Sequence, residues 1–143
     1  MQPVPTNFIA VLVAAVVGMV IGGLWYSPLL FAKQWMAWSG KTPADLEAAK
    51  KKGMTLAYVL MFVGTFLMAY VLHHALVFAS AYLNVSGAWA GMTAGFWNWL
   101  GFIAPVTLGT VLWDGKPWKL WMLNNVYYLL VLLIMGVILA VWM

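Results

Sequence analysis

All ten charged side chains of this chain sit in two short stretches, 33–52 and 114–119, and that confinement limits what it can fold into. Between and beyond them lie apolar runs long enough to cross a bilayer, since a spanning helix needs roughly 20 such residues. A soluble domain would carry several times more charge than the 7% found here, and less hydrophobic content than 66%. The length accommodates one domain, 1–143, with four spans expected at about 7–25, 54–83, 87–112 and 118–142. The connectors that carry the charge are 27–53 and 113–117, with Lys119 just beyond the second. The expected fold class is an all-α integral membrane protein: four transmembrane helices in two hairpins, plus a short interfacial amphipathic helix between spans 1 and 2.

Local signals set the boundaries. Thr6 or Asn7 can cap span 1. The leader before it has no basic residue, and no small-residue cleavage site ends the first apolar run, so span 1 reads as retained and not as a signal peptide. Ser27 and Pro28 read as the cap and first position of a helix over Leu29 to Trp38, where Phe31, Trp35 and Trp38 beside a single Lys33 suit the headgroup region. Gly40 stops it. Thr42, Pro43 and Asp45 start another helix, and Lys50, Lys51 and Lys52 end it in the order that complements a helix dipole. A glycine followed by a proline near the inner end of spans 1 and 3 (Gly23 and Pro28; Gly101 and Pro105) suggests a weak internal repeat, although any two hairpins share as much. All seven lysines fall in or directly beside the two charged connectors, and the positive-inside rule then puts those connectors in the cytoplasm and both chain ends outside it.

Three motifs carry a resemblance: Gly-x-Leu-Trp-Tyr-Ser-Pro-Leu-Leu-Phe-x-Lys-x-Trp ending at Trp35, Gly-Phe-x-x-Pro from Gly101 to Pro105, and Pro-Trp-Lys-Leu from Pro117 to Leu120. In these the chain resembles a bacterial four-helix membrane family catalogued as domain of unknown function 1761. The likeness covers nearly the whole chain. It implies the four-helix fold and a location in the bacterial inner membrane, and it supplies neither an activity nor a catalytic residue.

Several residue groups invite a role. Ala10, Ala14, Gly18 and Gly22 in span 1, and Gly87, Gly91 and Gly95 in span 3, recur every fourth residue. Side chains this small let helices approach closely, which matters because lipid gives helices no hydrophobic reason to associate. The stripes could pack spans 1 and 3 within one chain or between copies. In span 2, Tyr58, Phe62, Phe66, Tyr70, His74, Phe78 and Tyr82 recur at the same spacing and wind around the helix. They could line a groove for bound lipid, quinone or pigment, or simply face lipid and neighbouring helices. His73 and His74, the only histidines, point about 100° apart on a regular helix, so no metal site is expected from them alone. Capping or an interfacial position suits them better. Asn98, Asn124, Asn125, Tyr127 and Tyr128, with Trp25 and Tyr26 at the end of span 1, make the inner half unusually polar. Polar groups at such depth face a bundle interior or a cavity, so these could form a pocket for a neutral solute or bond helix to helix. Pro105 leaves a backbone carbonyl without its helical donor, and one of the amides could bind it.

The absences limit the chemistry. The three carboxylates, Asp45, Glu47 and Asp114, all lie in the connectors, so no span holds an acid to relay protons or bind sodium. Without cysteine there is no thiolate or disulfide, and without arginine there is no forked recognition of phosphates or nucleic acid. Neither an enzymatic activity nor a cofactor is expected. The expected role is a structural or accessory membrane subunit that packs through its small-residue stripes against itself or another membrane subunit, with membrane lipids as its other partners. The alternative is a small channel or carrier for a neutral or hydrophobic solute.

Overall fold

The computed structural model describes residues 4–143, so the first three residues of the uncharged leader lie outside it. The described chain is helical throughout, with no strand among the described residues. The helices are α1 (Phe8–Trp25), α2 (Ala32–Ser39), α3 (Pro43–Lys52), α4 (Thr55–Leu83), α5 (Gly87–Leu112) and α6 (Trp118–Val141). Four of them, α1, α4, α5 and α6, are long and apolar enough to cross a membrane.

The two ends of the bundle differ chemically. At one end the Asn7 carboxamide oxygen accepts from the Ala10 amide at 3.1 Å, and its nitrogen donates to the Trp142 carbonyl at 3.0 Å. One side chain thus caps α1 and joins its start to the end of α6. At the other end Lys116 Nζ donates to the Ser39 carbonyl at 3.0 Å, which brings the two charged connectors together.

The first connector departs from expectation at Ser27. Its hydroxyl donates to the Leu24 carbonyl at 2.7 Å and accepts from the Leu29 amide at 3.3 Å, while the Phe31 amide reaches back to Trp25. These bonds satisfy the carbonyls that α1 leaves open at its last turn. Residues 27–31 therefore finish α1 as turns, and α2 begins only at Ala32. The α3 start is as expected. Thr42 Oγ1 accepts from the Asp45 amide at 3.2 Å, and Asp45 Oδ2 accepts from the Thr42 amide at 2.8 Å. The Thr42 amide and hydroxyl together hold the Asp45 carboxyl below its ordinary value of 3.8.

Pro105 acts differently from its sequence reading. The turn before it widens into a π-helix over Trp99–Ile103, in which the Ala104 amide donates to Trp99, five residues back. Among the described residues no amide side chain binds a carbonyl freed by the proline: Asn98 Nδ2 donates to Ala94, in its own helix, at 2.8 Å. A wider turn lets the backbone absorb the lost bond locally. The proposed repeat also weakens, because Pro28 lies in a turn after α1 whereas Pro105 lies inside α5.

The spans pack in the ring order α1, α4, α5, α6, with α4 and α6 also touching across the middle and α1 and α5 at opposite corners. The most extensive interface joins α5 to α6. There a Cβ on Gly91 would overlap the Gly136 carbonyl, one on Gly95 would overlap the Leu132 carbonyl, and one on Gly136 would overlap the Gly91 carbonyl. The two backbones touch directly, with Ala90, Ala94 and Ala140 buried alongside. In α1, Ala10 and Ala14 are fully buried, and Gly18 faces Met135 of α6 and Thr65 of α4. The stripes therefore meet other spans of the same chain, and not each other. Gly87 is no packing residue: it opens α5 at φ +77°, with nothing near its absent side chain.

Gly91→Val should lower the stability of the bundle in micelles by about 3 kcal/mol, because the obstacle is backbone that cannot rotate away. Gly64→Val, where a Cβ meets nothing within 4 Å, should leave it nearly unchanged. Detergent-titrated unfolding of both variants provides the comparison.

Candidate functional site

The polar residues of the half nearer the charged connectors do not form one pocket. They divide into three sets. The first lies where α1, α4 and α6 meet the charged connector. Tyr26, just past α1, donates its hydroxyl to Asn124 Oδ1 at 2.8 Å and stands edge-on to Tyr127, with ring centroids 5.2 Å apart. Tyr127 in turn lies 5.0 Å from Tyr128. Beside them opens a cavity of about 430 Å³. Met19, Gly22 and Gly23 of α1, Tyr58 and Met61 of α4, and Tyr127 and Tyr128 of α6 form its walls. Trp35 of α2 and Leu46 of α3 close the connector side. Its lining is mostly apolar, with phenol hydroxyls as the main polar groups and no charged residue.

Gly22 shapes this cavity. A Cβ there would stand 2.8 Å from the Tyr127 hydroxyl, so only glycine leaves the phenol its place. The neighbouring connector is part of the wall because Trp35 packs edge-on against Tyr26, at 6.1 Å between ring centroids.

The second set is a hydrogen-bonded joint between α5 and α6. Thr107 Oγ1 accepts from Asn125 Nδ2 at 2.9 Å and from Trp121 Nε1 at 3.1 Å, and donates to the Ile103 carbonyl at 2.8 Å. Asn125 is 2% exposed. The third set is Asn98 alone, in a separate apolar cleft of about 370 Å³ between α4 and α5. Trp25 lies on another face of α1, toward Phe31, Trp38 and the start of α6.

The span 2 aromatic series separates along its length. Phe66 and Tyr70 pack against the core, whereas Tyr58, Phe78 and Tyr82 are exposed. It forms no continuous groove; only Tyr58 reaches the cavity. His73 is buried, with Nε2 3.1 Å from the Pro5 carbonyl, and His74 Nδ1 lies 2.9 Å from the Tyr70 carbonyl. Both imidazoles thus engage backbone carbonyls, and His73 ties α4 to the segment before α1. No group of three or more metal-ligating side chains occurs among the described residues.

Residues 9–140 match a family described as a protein of unknown function, DUF1761. The chain belongs to this family. No curated protein and no solved structure matches it. Membership in DUF1761 agrees with the motifs around Trp25, Pro105 and Pro117, and it assigns no chemistry to the cavity.

Sequence reasoning missed Thr107, Met19, Met61 and Leu46. Thr107 had one available signal: it lies two residues after Pro105, where a hydroxyl can bond the preceding turn and still accept from a neighbour. Replacing Thr107 with Val should cost about 1–2 kcal/mol, since it leaves the Trp121 and Asn125 donors short of an acceptor. The double variant Thr107→Val/Asn125→Leu should cost less than Thr107→Val alone. Unfolding of the single and double variants in micelles measures the difference.

Proposed function

We propose that this chain is a non-catalytic membrane protein that binds a neutral, hydrophobic solute in the cavity between α1, α4 and α6. The observation that carries this reading is a space of about 430 Å³ walled by tyrosines and methionines, with no charged side chain in its lining. Pockets of this size hold drug-sized ligands, and a lining without charge favours an uncharged one. The only carboxylates lie in the connectors, and His73 and His74 are not part of the cavity lining, so the cavity presents neither of the usual general bases. One small molecule per chain should survive gentle extraction and appear in native mass spectrometry. Gly22→Leu, which displaces the Tyr127 hydroxyl, should lose it. Retention of the molecule by a folded Gly22→Leu protein would remove this cavity as its site.

A role as a structural or accessory subunit is the second reading. Bare aromatic faces on α5, including Trp97 and Phe102, favour it. Its contacts would have to use such faces, because Gly91, Gly95 and Gly18 already meet neighbouring spans. A defined oligomer or fixed partner, with no small molecule, in the same spectra would support it over the first.

The orientation we propose places the charged connectors in the cytoplasm of a bacterial cell and both chain ends outside the inner membrane, with α2 lying in the interface. The lysine distribution supports it. The chain contains no cysteine, so single substitutions report cleanly. An impermeant thiol reagent on intact cells should label Ser86→Cys and Met143→Cys and spare Lys41→Cys and Lys116→Cys. Labelling of one connector but not the other would refute the arrangement.

A further inference from the structure

Tyr127 is 7% exposed; its hydroxyl makes no hydrogen bond to a described residue and is open to the cavity, not sealed in the core. The phenol ends beside Gly22, and both residues line the same cavity. The nearby Tyr26 hydroxyl is already directed to Asn124, so it does not serve Tyr127. A phenol O–H without a protein acceptor is free to donate to an acceptor that enters the cavity. Within a membrane the surroundings supply none, because hydrocarbon cannot accept.

The rest of the lining narrows the acceptor's chemistry. No lysine or carboxylate faces the cavity, so a charged head group would be left without a counter-charge. Tyr26, Trp35, Tyr58 and Tyr128 surround it with aromatic faces and edges, which suit a flat ring. Met19 and Met61 add soft, adaptable apolar surface. Tyr58 and Met61 are themselves exposed on the outside of α4, so a hydrocarbon tail can leave the cavity there into lipid.

We propose that the cavity takes the carbonyl-bearing ring of a neutral isoprenoid quinone, and that the Tyr127 hydroxyl donates to one ring carbonyl. This rests on the solute-binding reading above and specifies its ligand. The shared chemistry is an uncharged amphiphile with a carbonyl acceptor; an acylglycerol ester is the other membrane source of it. The aromatic walls favour the ring over the ester. Tyr127 is then a specificity-determining residue, and no electron or proton transfer is required of it.

The test uses the full chain in nanodiscs of phosphatidylcholine, titrated separately with decylubiquinone and with dioctanoylglycerol and read by native mass spectrometry. The expected result is saturable binding of one decylubiquinone per chain, weaker binding of dioctanoylglycerol, and a roughly tenfold loss of quinone affinity in Tyr127→Phe. That variant keeps the ring and its packing, and circular dichroism verifies its helix content. Equal quinone binding by Tyr127→Phe overturns the donor role. Binding that depends on Tyr127 for the glycerolipid, and is absent for the quinone, overturns the ring. Met61→Trp fills the cavity from an exposed position; undiminished binding of both probes by it overturns the cavity reading itself, as does the absence of binding to the wild-type protein.

Discussion

Spans α5 and α6 meet backbone to backbone, and the bundle is built outward from that contact. Gly91 and Gly136 each occupy the space a side chain would need on the other, and Gly95 does the same against Leu132. Such proximity matters more in lipid than in water. Hydrocarbon surrounds a spanning helix as comfortably as another helix does, so association depends on close van der Waals fit and on polar groups that find partners. The Thr107, Trp121 and Asn125 bonds supply the second element at the same interface, nearer the charged end. Because α6 also touches α1 and α4, it is the most enclosed of the four spans.

The opposite corner of the bundle is packed by a different rule. At its connector end α1 meets α6 through tyrosine rings, with Gly22 leaving room for Tyr127, whereas Gly18 lies against Met135 and Thr65. Rings at 5–6 Å centroid separations with tilted and edge-on planes do not tile a surface the way two glycine faces do. The start of α4 also carries exposed residues on all sides, from Thr55 to Met61, so it does not close over the gap. The cavity lies where these two features coincide. Its mouth is covered partly by the connector, through Trp35 and Leu46, which links the most polar segment of the chain to the least filled part of the bundle.

Local features were legible wherever the chain speaks to its immediate neighbours. The cap at Asn7, the reciprocal Thr42 and Asp45 bonds and the left-handed stop at Gly40 all depend on residues within about one helical turn. Ser27 was misread because it could cap the helix ahead or close the one behind, and the open carbonyls of α1 decided the matter. The Asn and Tyr residues were recognised as polar groups at depth, but their division into a cavity wall, a helix joint and a solitary amide depends on helix rotation. Four-residue spacing does not report which neighbour a face will meet. The span 3 stripe accordingly found Gly136 and Leu132 in α6, a helix in which only one glycine marks the matching site.

The amino-acid order by itself determined that this chain makes helices suited to a membrane and gathers its charges in two connectors, because transfer of charge into hydrocarbon is prohibitive at any point in a span. Tertiary structure alone decided which spans are neighbours, that the connectors meet through Lys116 and Ser39, and that Tyr127 ends unpartnered beside Gly22. The physical reason is that contacts between helices depend on shape complementarity summed over whole faces, a quantity no single helix contains.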